Sequence, residues 1–146
     1  MGMLNTQDIM DKMFKEVAAI STLNGASYLT STGRIWKGSI RPDGKENPLL
    51  TLKGSRTITN ETKLEEWDLN ITAFADRKKN GTADGRRLAN ITGETINRLD
   101  ASTITITSGK MMQVYMLNDT GVLEDAANPK ENFQQVKFRL WCIKSP

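Results

Sequence analysis

The sequence predicts one α+β domain spanning residues 1–146, a two-layer sandwich with two helices packed on one face of a mainly antiparallel sheet. Three observations lead to this prediction. Two segments repeat apolar residues at helical spacing, and others have the composition or the alternation of strands. Their order along the chain is α-β-β-β-α-β-β-β. No repeat or linker divides the 146 residues, which suffice for one hydrophobic core.

The first element is a helix from Asp8 to Ile20. Apolar side chains recur along one side of this segment at the spacing of helical turns. Asp8 lies in the first turn, where a carboxylate interacts favourably with the exposed backbone amides. Asn24-Gly25 follows as a stop signal, because glycine tolerates the left-handed backbone that ends many helices. We therefore expect an amphipathic helix that lies on another element.

Three strands are predicted after the first helix. The segment Arg34–Ile40 is short and strand-like, the turn residues Arg41–Gly44 come next, and Leu49–Lys53 is the returning strand. The third strand, Lys63–Asp76, has the clearest alternation of apolar and polar side chains in the sequence. Such alternation is typical of an antiparallel strand with one buried face.

The second helix is predicted over Asp84–Leu99, where apolar residues again share one side. Gly93 lies in its interior, although glycine there costs roughly 1 kcal/mol relative to alanine. A close contact between helix and sheet at this position would explain the glycine.

Two or three further strands close the predicted fold. The segments Thr103–Thr107 and Met111–Leu117 flank a short turn and are predicted to form a hairpin. The residues Asp119–Asn132 are predicted to be a polar loop. The last strand, Phe133–Ile143, alternates again and supplies another half-buried strand to the sheet.

The residue types present argue against catalysis. The sequence has no histidine, which excludes Ser-His-Asp triads, Cys-His dyads and histidine metal sites. Its one cysteine, Cys142, lies on the apolar face of the last predicted strand, as a core residue would. Glu66 and Asp68 project to the same side of a strand about 6.6 Å apart. That spacing suits acid-base chemistry, but a solvated strand face is the favoured interpretation. We expect no catalytic residue, no metal site and no cofactor.

The charges point to no partner by themselves. The 20 basic and 17 acidic residues leave a net charge of +3, too small to indicate a nucleic-acid or membrane partner. Neither a secretory signal nor an apolar run near twenty residues is present, so we expect a chain made in a reducing cytosol. Five positive side chains occur in one loop and at the following helix start, where they can hold phosphate or an acidic protein surface, or remain solvated: Arg77, Lys78, Lys79, Arg86 and Arg87.

Acidic and aromatic residues supply further candidates for an assembly interface. The predicted polar loop contains Asp119, Glu124 and Asp125, which are complementary in charge to the basic residues. Complementary patches on one chain suit head-to-tail rings, in which each subunit offers different surfaces to its two neighbours. Trp36 and Trp141 fall among polar neighbours, so each is either an assembly hot spot or the cover of a helix.

The order and spacing of the predicted elements carry a resemblance across most of the chain. They are the opening helix, the strand start Gly33-Arg34-Ile35, the strand Pro48–Leu52, the strand Trp67–Ile71, the helical segment Leu88–Ile91 and the closing strand Val136–Leu140. In this layout the chain resembles the tail-completion, or tail-terminator, proteins of long-tailed bacteriophages and prophages. No invariant fingerprint accompanies the layout.

The resemblance implies a non-enzymatic assembly protein. Such a protein waits in the host cytoplasm and then forms a ring, expected to be hexameric, on the head-proximal end of the tail tube in the virion. There the tail-tube protein and the head connector protein are its partners, with no membrane involved. Two alternatives stay open. One is a nucleic-acid-associated module that uses the Arg77–Arg87 patch, and the other is a small enzyme or ligand-binding domain built around Glu66 and Asp68.

Overall fold

The computed structural model describes residues 6–20, 35–37, 49–59, 64–107, 110–124 and 130–143. The elements in these ranges are, in chain order, α1 (Thr6–Ala18), β1 (Trp36–Lys37), β2 (Leu49–Thr59), β3 (Leu64–Asp76), α2 (Gly85–Leu99), β4 (Ser102–Thr107), β5 (Lys110–Glu124) and β6 (Glu131–Ile143). The strands form one six-stranded sheet in the order β1-β2-β3-β6-β5-β4. The α+β class and the predicted order of elements are confirmed.

The sheet is antiparallel except at one edge, where β1 pairs with β2 in parallel. Trp36 pairs with Leu49 in this register. The sequence predicted that Leu49–Lys53 returns antiparallel after the turn residues Arg41–Gly44. That prediction is wrong, because parallel neighbours require a crossover connection and a tight turn does not provide one. The turn residues themselves lie outside the described ranges.

The core lies between the two helices and one face of the sheet, here called the inner face. In the register of β3 with β6, Leu69 is opposite Phe138 and Ile71 is opposite Val136, so apolar side chains of neighbouring strands share this face. Each of these four side chains is buried. Buried residues of the helices cover them: Ile9, Met13 and Val17 from α1, and Leu88, Ile91 and Leu99 from α2.

Asp84 caps the start of α2. Asp84 Oδ1 accepts a hydrogen bond from the backbone N–H of Arg87 at 3.2 Å, which satisfies one of the free amides of the first turn. The explanation predicted for Gly93 is wrong. A Cβ atom at this position would meet no heavy atom of the described residues within 4 Å, apart from the residue's immediate chain neighbours and the helix backbone, so close packing on the described sheet does not require glycine.

The loop predicted over Asp119–Asn132 is largely strand. Strand β5 continues to Glu124 and β6 begins at Glu131, so only the short connection between them remains. Two register shifts in the pairing of β5 with β6, one between Met116 and Asn118 and one between Asp119 and Val122, explain the error. A bulge shifts the alternation of side chains by one residue, and the apolar period in the sequence is lost.

Strand β2 is also longer than its predicted range of Leu49–Lys53, since it continues to Thr59 after a register shift between Lys53 and Thr57. An ion pair links the two helices, since Arg98 Nη2 of α2 lies 2.8 Å from Glu16 Oε2 of α1. None of the described helices is long and apolar enough to cross a membrane.

Candidate assembly surface

The basic loop after β3 has an ordered backbone. The backbone N–H of Arg77 donates to the carbonyl of Lys130 at 2.9 Å, which ties the loop to the start of β6. The N–H of Lys78 donates to the carbonyl of Thr82 at 2.8 Å, and the N–H of Gly81 donates back to the carbonyl of Lys78 at 2.8 Å. Gly81 has a φ of +85°, a conformation that favours glycine. These bonds fix the backbone positions from which the side chains of the loop project.

An open groove of about 520 Å³ lies beside this loop. Asp76, Arg77, Lys78, Gly81 and Lys130 line it, so three cationic side chains accompany one carboxylate. Arg77 Nε is buried and has no hydrogen-bond partner in the part of the chain that the structure describes. The groove is therefore a positively charged feature of the surface, suited to an acidic group of another molecule.

The structure gathers only part of the predicted basic cluster into this groove. Lys79 and Arg86 are exposed and Arg87 is half-buried, and none of the three lines the groove. Lys130 takes their place, and sequence reasoning missed it because Lys130 is far from Arg77 in the chain. The register that pairs Asp76 with Glu131 brings it there.

The acidic candidates occupy two different environments. Glu124 is 87% exposed and its Oε1 lies 4.0 Å from Arg77 Nη2 of the same chain, a pair that contributes little to stability. Asp119 Oδ1 accepts hydrogen bonds from the N–H of Gly121 at 2.9 Å and from Gln134 Nε2 at 2.8 Å, so it holds the bulge of β5. Asp125 lies outside the described residues. Acidic and basic candidates thus meet within one chain at Arg77 and Glu124.

The two tryptophan candidates are also separated. Trp36 belongs to β1 and pairs with Leu49, but its side chain lies outside what the structure describes. Trp141 of β6 is 37% exposed on the face of the sheet opposite to the helices, here called the outer face. Its ring lies 5.2 Å from the ring of Tyr115 on β5. This exposed aromatic pair matches the kind of residue that anchors protein interfaces.

The carboxylates considered for acid-base chemistry share an arginine. Asp68 Oδ1 accepts a hydrogen bond from Arg139 Nε at 2.9 Å, and Glu66 Oε2 lies 3.9 Å from Arg139 Nη1. Cross-strand pairing of β3 with β6 creates this arrangement, since Asp68 is opposite Arg139. An ion-pair network on a strand face accounts for both residues. Among the described residues, no group of three or more His, Cys, Asp or Glu is placed to hold a metal ion.

Sequence reasoning did not identify a set of exposed apolar side chains on β5. Their exposed fractions lie between 36% and 57%: Met111, Tyr115, Met116, Leu117, Val122 and Leu123. Trp141, a candidate from the sequence, lies beside Tyr115 on β6. A signal was present, because Tyr115, Met116 and Leu117 are consecutive. Successive residues of a strand point to opposite faces, so three apolar residues in a row cannot all enter one core. Apolar side chains concentrated in this way indicate an interaction surface.

Comparison with solved structures finds a similar fold in a chain of the virion of a native gene transfer agent (GTA) particle. The TM-score is 0.62 at 10% sequence identity, and the match covers 92% of this chain and 93% of that chain. No protein-family model matches the sequence, and no curated protein matches it. At this identity the likeness establishes a shared fold over nearly the whole chain.

Proposed function

We propose that this chain is a non-enzymatic structural protein of a phage-like particle. In this proposal it forms a hexameric ring that caps the head-proximal end of the tail tube and joins the tube to the head connector. It is located in the host cytoplasm before assembly and in the finished virion afterwards. The observation that carries the proposal is the fold shared, over 92% of the chain, with a chain of a gene transfer agent virion.

The surface of the protein supports an assembly role. Large apolar side chains are exposed along β5, and protein partners cover such surfaces at interfaces. The carboxylates that could have served an enzyme are engaged by Arg139. The resemblance to tail-terminator proteins adds the proposed location of the ring, at the head-proximal end of the tail tube. A ring that joins tube and head needs one surface for the tail-tube protein and another for the head connector protein.

Deletion of the gene in the phage or prophage that encodes it tests the proposal. We expect DNA-filled heads and separate tails of uncontrolled length in negative-stain images, with normal particles restored when the gene is supplied in trans. Joined particles of normal tail length from the deletion strain would contradict the proposal.

A second candidate function rests on the groove lined by Arg77, Lys78 and Lys130. A nucleic-acid-associated module would use these cations to contact phosphates, and its affinity would fall steeply as salt rises. Titration of labelled duplex DNA at low salt decides between the two. The assembly proposal expects no saturable binding. Saturable binding that the double variant Lys78→Glu and Lys130→Glu abolishes would favour the nucleic-acid function instead.

A further inference from the structure

Strand β5 is covered by β4 over only part of its length. The pairing of β4 with β5 runs from Lys110 to Val114, where Val114 is opposite Ser102. Beyond that point, among the described residues, no strand pairs with Tyr115–Glu124 on the side away from β6. We call Tyr115–Glu124 the open segment of β5. Every residue in it is exposed except Thr120 and Gly121, which are half-buried.

A side chain completes the ladder where β4 stops. The backbone N–H of Met116 donates to Asp100 Oδ1 at 2.8 Å, in the place where a strand neighbour would otherwise accept. On the side of β5 away from β6, the pairing within the described part of the chain therefore ends at Met116. From Leu117 onwards, no described strand occupies this backbone edge, and a strand from outside could pair with it.

The exposed apolar side chains of the open segment stand on both faces of the sheet. Met116 and Val122 are opposite Phe138 and Gln134, which belong to the inner face, whereas Leu123 is opposite Phe133 on the outer face. A partner that lay on one face would cover only half of this set. A strand added at the edge would place cross-strand neighbours beside both halves. The distribution thus favours edge-to-edge pairing over docking on a face.

Among the described strands, β6 is the one that pairs with the open segment. At the register shift between Asp119 and Val122, side chains replace the backbone ladder: Gln134 Nε2 donates to Asp119 Oδ1 at 2.8 Å, and the N–H of Gln135 donates to Thr120 Oγ1 at 3.1 Å. Beyond this shift, Asn132 Nδ2 donates to the carbonyl of Leu123 at 3.1 Å. These bonds preorganise the edge before any partner arrives. The bulges also discourage pairing with an arbitrary regular strand, which makes the edge selective.

The opposite edge of the same sheet has complementary charge. Strand β1 pairs with β2 only at Leu49 and Leu50, so, within the described ranges, no strand pairs with Thr51–Thr59 on the side away from β3. The residues of β2 that are charged at neutral pH are Lys53 and Arg56, both basic, while those of the open segment of β5 are Asp119 and Glu124, both acidic. Pairing β5 with β5 would oppose acid to acid, and pairing β2 with β2 would oppose base to base.

We propose that the open segment of β5 pairs with β2 of a second copy of this chain, so that the sheet continues from one subunit into the next. The contact joins two different surfaces, and a head-to-tail contact of this kind generates a ring when its rotation closes. The inference rests on the proposed function for the closed ring, which needs such a contact between neighbours. It assigns that contact to two named edges of the sheet.

A pair of variants tests the edge in the full-length protein. Leu117→Lys together with Leu123→Lys adds two cations to the segment that would pair with β2, whose charged residues are Lys53 and Arg56. We expect self-association to weaken by at least roughly tenfold in sedimentation-velocity titrations. The matched control is Ala89→Lys. Ala89 is also apolar and exposed, but it belongs to α2, which the proposed edge contact does not include, so its variant should associate like the wild type. Unchanged melting temperatures establish that all variants fold.

Charge exchange tests the direction of the contact. Glu124→Lys and Lys53→Glu should each weaken association, and the double variant should recover it, because the pair is restored across the interface. Zero-length carbodiimide coupling of a mixture of ¹⁴N- and ¹⁵N-labelled protein should link Asp119 or Glu124 of one copy to Lys53 of another. Oligomers that form without such links, or that tolerate the Leu117→Lys and Leu123→Lys pair, would overturn the inference.

The same samples, mixed with purified tail tubes, separate this inference from the proposed function. Wild-type rings on tube ends that survive the lysine pair would overturn the edge contact and leave the proposed function standing. Edge-dependent oligomers that never bind tubes would do the reverse. A wild-type chain that stays monomeric at every concentration, with and without tubes, would overturn both.

Discussion

Strands β3 and β5 both lie beside β6, but they expose their apolar residues very differently. β3 has a partner on each side, and its inner-face residues Leu69 and Ala73 are 0% exposed. β5 loses its second partner after Val114, and Leu117 beyond that point is 47% exposed. The apolar surface of β3 is used to fold the chain. In β5, Met112 and Val114 are buried in the same core, whereas the apolar residues from Tyr115 onwards stay exposed. Under the proposed edge contact, this difference separates folding from assembly within one sheet.

Truncation of a core side chain that packs beside β3 should destabilise the protein far more than truncation of an exposed side chain of β5. Phe138 is fully buried opposite Leu69, so Phe138→Ala should lower the free energy of unfolding by about 3–5 kcal/mol in urea denaturation. Leu123, which is 39% exposed, provides the control. Leu123→Ala should change stability by at most about 0.5 kcal/mol. Equal losses at the two positions would break the comparison.

Loss of a side chain that holds the bulge of β5 should have the next largest effect on stability. Asp119→Ala removes the acceptor for the N–H of Gly121 and for Gln134 Nε2, and should cost about 1–3 kcal/mol of unfolding free energy. Amide hydrogen exchange should accelerate between residues 119 and 124 more than in β3. Asn118→Ala, at an exposed neighbouring position, is the control. Unaltered exchange in the Asp119 variant would mean that β6 holds the open segment without this carboxylate.

Replacing glycine by alanine should change the stability in opposite directions in α2 and in the bulge of β5. Gly93→Ala in α2 has open space for its Cβ atom and should stabilise the protein by about 0.5–1 kcal/mol in chemical denaturation, because alanine is the better helix former. Gly121→Ala in the bulge should destabilise it, since Gly121 has a φ of +69°. Destabilisation at Gly93 would indicate a contact of α2 that the packing around this residue does not contain.

The contact between the helices should have the smallest effect. Glu16 and Arg98 form an ion pair across α1 and α2, in which the side chain of Arg98 is 45% exposed. A double-mutant cycle with Glu16→Gln and Arg98→Gln should give a coupling of about 0.2–1 kcal/mol, reduced further by salt. A much larger coupling would mean that this pair, and not the core under β3, fixes α1 on the fold.

The difference between β3 and β5 also explains why the range of one strand was predicted well from the sequence and the range of the other was not. The alternation in β3 is regular, so its predicted range of Lys63–Asp76 differs from the structure by one residue at one end. β5 was predicted to end at Leu117 and continues to Glu124, because its bulges change which side chains share a face. A pattern with a fixed period cannot represent a strand whose period shifts.

The candidate surface was predicted less well than the fold. Arg77 and Lys78 were identified from the charge run, but the third cation of their groove, Lys130, is brought there by strand register. Register depends on pairing between distant segments, which local composition does not encode. The parallel pairing of β1 with β2 was missed for the same reason. The exposure of the side chains of β5 likewise depends on where the neighbouring strand β4 stops pairing with it, which the sequence of β5 alone does not indicate.

Under the proposed function, this chain assembles with copies of itself on the end of a tail tube. The most direct test measures the mass of the full-length protein by light scattering over a concentration series, with negative-stain images of the same samples after tail tubes are added. We expect a discrete ring mass and rings at one end of the tubes. Monomer alone at every concentration, with bare tube ends, would contradict the proposed function.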